Sequence, residues 1–121
     1  MQTILDVKCK AFAVRIVHFY KFLTSTQKEA VLSKQILRSG TSIGANARER
    51  LNAQSNADFI NKLEIALKEC YETEYWLEIL FRVNAISDVT YKSSTNKSGT
   101  IRRKLIASIT TAKSNMEQRE K

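Results

Sequence analysis

The stretch FINKLEIALKECYETEYWLEIL, residues 59–80, decides the fold. Phe59, Leu63, Ala66, Cys70, Leu77 and Leu80 recur at steps built from threes and fours, which places them on one face of an α-helix. No glycine or proline interrupts the row. Just upstream, Ser55 has the side chain of an N-cap, and Asp58 puts negative charge in the first turn, where the helix dipole favours it. Asp58→Lys62 and Glu64→Lys68 are favourable i,i+4 pairs on the outer faces. The spacing predicts a helix over residues 55–84. Tyr71, Tyr75, Trp76 and Phe81 make its C-terminal half the aromatic end, and the pattern assigns these rings to the core.

Working outward, residues 27–51 predict a second helix with three rows. Leu32, Ile36, Gly40, Ile43 and Ala47 form an apolar row with a small middle. Gln35, Ser39, Ser42, Asn46 and Glu49 form a polar row, and Lys34, Arg38, Thr41, Ala45 and Arg48 a basic one. Each interior glycine costs ~1 kcal/mol against alanine, so close approach of another helix at Gly40 and Gly44 is the simplest compensation. An unpaired buried polar group costs about 1–3 kcal/mol. The Ser42 and Asn46 row therefore packs in a hydrogen-bonded network or lines a wet surface.

Residues 3–24 predict a first helix of about 33 Å at 1.5 Å per residue, with Leu5, Cys9, Phe12, Ile16, Phe19 and Leu23 on its buried face. Val7, Val14 and Val17 widen that stripe, which implies contact with more than one neighbour. Thr24-Ser25-Thr26 offers caps for the helix that follows. Ser87-Asp88 opens a fourth segment, over residues 88–115, in which Ile101, Leu105, Ile109, Ala112 and Met116 keep helical spacing. Lys92 to Thr100 contains no apolar residue, so pattern alone reads it as loop; the tail after Asn115 is expected to fray. Four amphipathic helices on short links pack as an all-α, antiparallel up-and-down four-helix bundle, a single domain over residues 1–121.

Composition agrees. The chain has 121 residues, no proline and three glycines, too few turn residues for a sheet-rich fold. Cys9 and Cys70 sit in apolar rows and read as buried thiols of a reducing compartment. With no apolar run near ~18 residues and no basic-then-apolar leader pattern, a cytoplasmic protein without membrane contact is expected. No cofactor or metal is expected: His18 is the only histidine, and no glutamate has a histidine three residues later. Gly40 and Gly44 follow no predicted strand, so they form no phosphate loop. The chain reads as non-enzymatic.

Net charge is +8, unevenly spread: residues 1–50 carry +6, residues 51–85 carry −3 and residues 86–121 carry +5. An excess of this kind concerns partners rather than fold. It serves either solubility and pairing with the acidic third helix, or a phosphate-binding surface for RNA or DNA. The candidate phosphate contacts are Lys34, Arg38, Arg48 and Arg50 on the second helix and Arg102, Arg103, Lys104 and Lys113 on the fourth. Ser39, Gly40, Ser42, Gly44, Asn46 and Glu49 are candidates for helix packing or an oligomer interface.

Three stretches, QILRSGTSIGANARE at residues 35–49, NAQSNADFINKLEIALKE at 52–69 and ETEYWLEIL at 72–80, closely resemble the 23S rRNA intervening-sequence family, also labelled the S23 ribosomal protein family. The Arg38-Ser39-Gly40, Ser42, Asn46, Glu49 and Asp58-Phe59 pattern carries the resemblance. Many relatives have proline where this chain has Gly44 and glycine where it has Arg50; the first change relaxes an expected kink, the second adds a charge. The resemblance implies a bundle that assembles into a ring-like homopentamer and a fourth helix continuous from Ser87 to Asn115. It also implies a nucleic-acid-binding role, or that of an accessory subunit to a reverse transcriptase, as related basic pentamers have in diversity-generating retroelements. A purely structural assembly is the remaining reading.

Overall fold

The structure, a computed structural model, describes residues 2–120. It contains α1 (Ile4–Ser25), α2 (Val31–Glu49), α3 (Asn56–Arg82) and α4 (Asp88–Glu120), with one 3-10 turn at Arg50–Asn52. Each helix packs on the next and α4 closes back on α1, while α1 stays clear of α3 and α2 of α4. Asp6 meets Arg50, Glu64 meets Lys113 and Arg15 meets Ser93, so neighbouring helices run antiparallel. Among the described residues no helix is long and apolar enough to cross a membrane.

The apolar rows of α1, α2 and α3 converge on one core, with Ile16, Leu23, Ile36, Ile43, Leu63, Leu77, Leu80, Ile101 and Leu105 fully buried. Both interior glycines of α2 face α1. A Cβ on Gly40 would lie 2.9 Å from Ile16 Cγ1, and one on Gly44 would lie 3.1 Å from Cys9 Cβ. The close approach that offsets their poor helix propensity is therefore within the chain.

Residues 92–100 are helical throughout, as the resemblance implied and the pattern did not. Ser94 and Ser98 are buried at the positions where a core helix normally places large apolar groups. Ser98 Oγ donates to Glu74 Oε2 at 2.9 Å, and Cys70 Sγ donates to the Ser98 carbonyl at 3.5 Å. A small hydroxyl side chain at Ser98 thus brings α4 close to α3 while its polar atoms stay satisfied. The helix also continues beyond Asn115 to Glu120.

Three further expectations are corrected. The second helix begins at Val31, not at residue 27, because the Thr24 and Ser25 hydroxyls turn back to the Tyr20 and Lys21 carbonyls and finish α1. The N-cap position falls on Ala30, which has no capping side chain, and Glu29 just before it accepts from the Leu32 amide at 2.5 Å. α1 does touch two neighbours, α2 and α4, but Val7 and Val14 point to solvent and do not make the second contact. Tyr71 and Tyr75 are exposed rather than core; only Trp76 and Phe81 pack against it. Phe81 stacks on Tyr91 of α4 with ring centroids 4.4 Å apart. At the far end of α3, Ser55 Oγ accepts from the Asp58 amide at 3.0 Å, and Asn84 takes the left-handed conformation that stops the helix.

Both cysteines are free and buried, and burial pushes their thiols up to about 11 for Cys9 and about 12 for Cys70. The thiolate is the reactive species. Neither should react with a disulfide reagent at pH 8 while the protein is folded, and both should react in denaturant; native-state labelling at the free-thiol rate would contradict the packing described.

Candidate nucleic-acid interface

Each helix carries its charge on definite faces. α3 holds six acidic and three basic residues, whereas α1 holds four basic residues and one acid. The carboxylates of α3 neutralise cations on both of its neighbours. Glu69 and Glu72 accept from Arg38 of α2, and Glu74 takes Arg102 Nε at 3.1 Å. Glu64 pairs with Lys113 at 3.0 Å. Most of these groups are partly solvated, so such pairs are worth roughly 0–1 kcal/mol each. Their consequence is to occupy Arg38, Arg102 and Lys113, three of the eight expected phosphate contacts.

Arg50 leaves the candidate set altogether. It is 7% exposed, and its guanidinium forks onto Asp6, with Nη1 to Oδ1 at 2.8 Å and Nη2 to Oδ2 at 3.1 Å. Nη1 also donates to the Ala47 carbonyl, and Nη2 to Thr3 Oγ1. Thr3 and Asp6 form the capping box of α1. The hydrogen bonds from Arg50 hold the Asp6 carboxyl well below the usual carboxylate range. The charge added at residue 50 is therefore a clasp between the start of α1 and the end of α2. It is not a surface contact.

Lys34, Arg48, Arg103 and Lys104 remain outside any ion pair among the described residues. They do not form one patch, because Lys34 and Arg48 lie on α2 and the other two on α4, helices that do not touch. Arg103 is exposed and bonds Thr100 Oγ1; Lys104 is half-buried.

The helix-2 candidates serve mainly inside the chain. Ser39 is buried and accepts from Thr73 Oγ1 of α3 at 2.9 Å. Gly40 and Gly44 lie against α1. Ser42 and Asn46 are half-buried and bond carbonyls of their own helix, while Glu49 is exposed.

Sequence reasoning passed over cations on α1 and on the first half of α4. Lys8, Arg15 and Lys97 line a groove of about 580 Å³ where α1 meets α4, together with Ser93, Asn96 and Thr100. Lys104 lines a second groove of about 630 Å³ farther along the same seam, with Thr3, Ser108, Thr111 and Asn115. Among the described residues no carboxylate lines either groove. The missed signal was spacing: Lys8 and Arg15, and Lys97 and Lys104, are each seven residues apart, which keeps them on one side of a helix. Such an array can neutralise anions. His18 is exposed, and among the described residues no group of three or more His, Cys, Asp or Glu is placed to hold a metal ion.

Comparison with known proteins bears on the same elements. Over residues 4–107 the chain matches the family described as 23S rRNA-intervening sequence protein. It is also similar to a protein of unknown function from the S23 ribosomal protein family of Bacteroides thetaiotaomicron, known from a crystal structure. The two share 60% identity with a TM-score of 0.88, over 88% of this chain and 96% of that one. No curated protein matches.

Proposed function

The chain belongs to the 23S rRNA-intervening sequence protein family, and from that premise we propose that it is a non-enzymatic, oligomeric protein that binds RNA or DNA through phosphate contacts. One observation carries this reading. Four of the six acids of α3 are matched with cations of α2 and α4, so excess positive charge is left on side chains without an acidic partner, several of them lining two grooves in which no carboxylate takes part among the described residues. Such charges release counterions from a nucleic-acid backbone and need no base-reading motif. Assembly into a ring-like homopentamer is supported by the exposed edge of Ile4, Val7 and Val14 on α1, which a second copy of the chain would cover.

Titrating a fluorescein-labelled RNA hairpin at several salt concentrations tests the function. Affinity is expected to fall steeply between 50 and 200 mM salt, with a log–log slope of about −0.7 to −0.9 per phosphate contact. Absence of binding at low salt, or binding indifferent to salt, would rule it out. Sedimentation of the same samples gives the subunit number, and a single-chain mass would remove the oligomeric part.

A further inference from the structure

The α1/α4 seam differs from the other three helix contacts. It is the least tightly packed of the four, and a groove of about 580 Å³ opens along it, within the size range of small-molecule sites. Its ionisable lining consists of Lys8, Arg15 and Lys97 and includes no carboxylate. Elsewhere the bundle matches its inward-leaning cations: Arg50 with Asp6, Arg102 with Glu74. Arg15 is half-buried, yet its one side-chain hydrogen bond is to a neutral group, Nη2 to Ser93 Oγ at 3.0 Å. Its Nε is buried and bonds nothing in the protein. Buried donors are almost always satisfied. A half-buried guanidinium without an acid, held in place by a hydroxyl and flanked by two lysines, has the donors and charge to take an anion from outside. Asn96 and Thr100 add neutral polar groups on the same wall.

We propose that this groove is a phosphate-binding site, with Arg15 as its anchor and Lys8 and Lys97 converging on the same anion. The guanidinium presents planar donors that match a phosphate's oxygens, and the lysines supply charge without geometric demand. The inference rests on the reading of the protein as a phosphate binder, and it replaces a diffuse basic surface with one defined groove. The phosphate belongs to a polynucleotide backbone or to a free phosphate ion, and the test separates these sources.

Two measurements on the full chain decide the matter. Anisotropy of a fluorescein-labelled 20-nucleotide single-stranded RNA is followed at several salt concentrations, and inorganic phosphate is titrated while backbone amide shifts are recorded. R15Q/K97Q is expected to weaken RNA binding at least tenfold and to flatten the log–log salt slope by about 1.4, two contacts at ~0.7 each. K28Q/K68Q removes the same charge from exposed, unpaired positions on the α1–α2 link and on α3 and should change affinity less than twofold. Because Arg15 also ties α1 to Ser93, K8Q/K97Q repeats the test at two exposed positions. Phosphate should shift the amides of Ser93, Asn96 and Thr100 first. RNA binding left intact in both groove variants, or lost equally in K28Q/K68Q, would overturn the groove while nucleic-acid binding stood. Phosphate shifts confined to the groove, with no RNA bound, would keep the site for a free anion and remove the nucleic-acid function. Neither ligand binding would remove both.

Discussion

Replacing Arg50 with alanine should destabilise the fold by about 3–5 kcal/mol, the usual consequence of leaving one member of a buried ion pair without its partner. Asp6 is 8% exposed, and its carboxylate would retain only the Thr3 bonds. Out of a total stability of roughly 5–15 kcal/mol, such a loss would be obvious in a urea or thermal melt. A drop below about 1 kcal/mol would mean that the pair is worth no more than a surface contact. Arg50→Met combined with Asp6→Leu should recover much of the loss, because apolar groups need no counter-charge. The pair also sets a pH dependence. The Asp6 carboxyl titrates below its unfolded value, so its contribution is complete above about pH 4 and is lost as the pH falls toward the lower folded value. Urea midpoints of the wild-type protein should therefore fall more between pH 4 and pH 2 than those of Asp6→Asn. Parallel curves would show that the carboxylate gains nothing from Arg50.

Gly40→Ala and Gly44→Ala should part company although both add one methyl to the same face of α2. Each gains ~1 kcal/mol of helix propensity. At Gly40 the new Cβ would come within 2.9 and 3.0 Å of the two γ carbons of Ile16, whose branched side chain is 1% exposed and cannot swing away. Overpacking of this kind costs about 1–3 kcal/mol and rises with local rigidity, so Gly40→Ala should destabilise on balance. At Gly44 the nearest atom is Cys9 Cβ at 3.1 Å, and the next stand at 3.6 Å. A shift of a few tenths of an ångström there should leave the net change near zero. Ile16→Ala should rescue Gly40→Ala in a double-mutant cycle. Equal melting temperatures for the two alanine variants would show that the α1/α2 contact is looser than described.

The helices were legible because apolar spacing is a local signal, strong in α1 and α3 and readable in α2 despite its glycines. The middle of α4 was not, since Ser94 and Ser98 occupy core positions with small polar side chains that hydropathy scores as surface. The partners of Ser98, Glu74 and Cys70, lie more than 20 residues away in the chain. Total charge could be read directly, but the sorting of cations into matched and free groups could not. That sorting depends on which helices become neighbours: Arg50 lies beside Glu49 in the chain, yet pairs with Asp6, 44 positions distant. Lys8 and Lys97 likewise become a pair of walls only when α4 closes against α1.

α1 and α3 occupy opposite corners of the bundle, and the Lys, Arg, Asp and Glu within them sum to +3 and −3. The molecule is thus an electric dipole lying across its long axis. At 0.1 M salt such a field reaches about 10 Å into solvent, far enough to rotate an approaching molecule before any atom touches. α4, which packs on α1, adds +4, so a polyanion would meet the α1/α4 side first, and the asymmetry acts on the rate of encounter as well as on the strength of the complex.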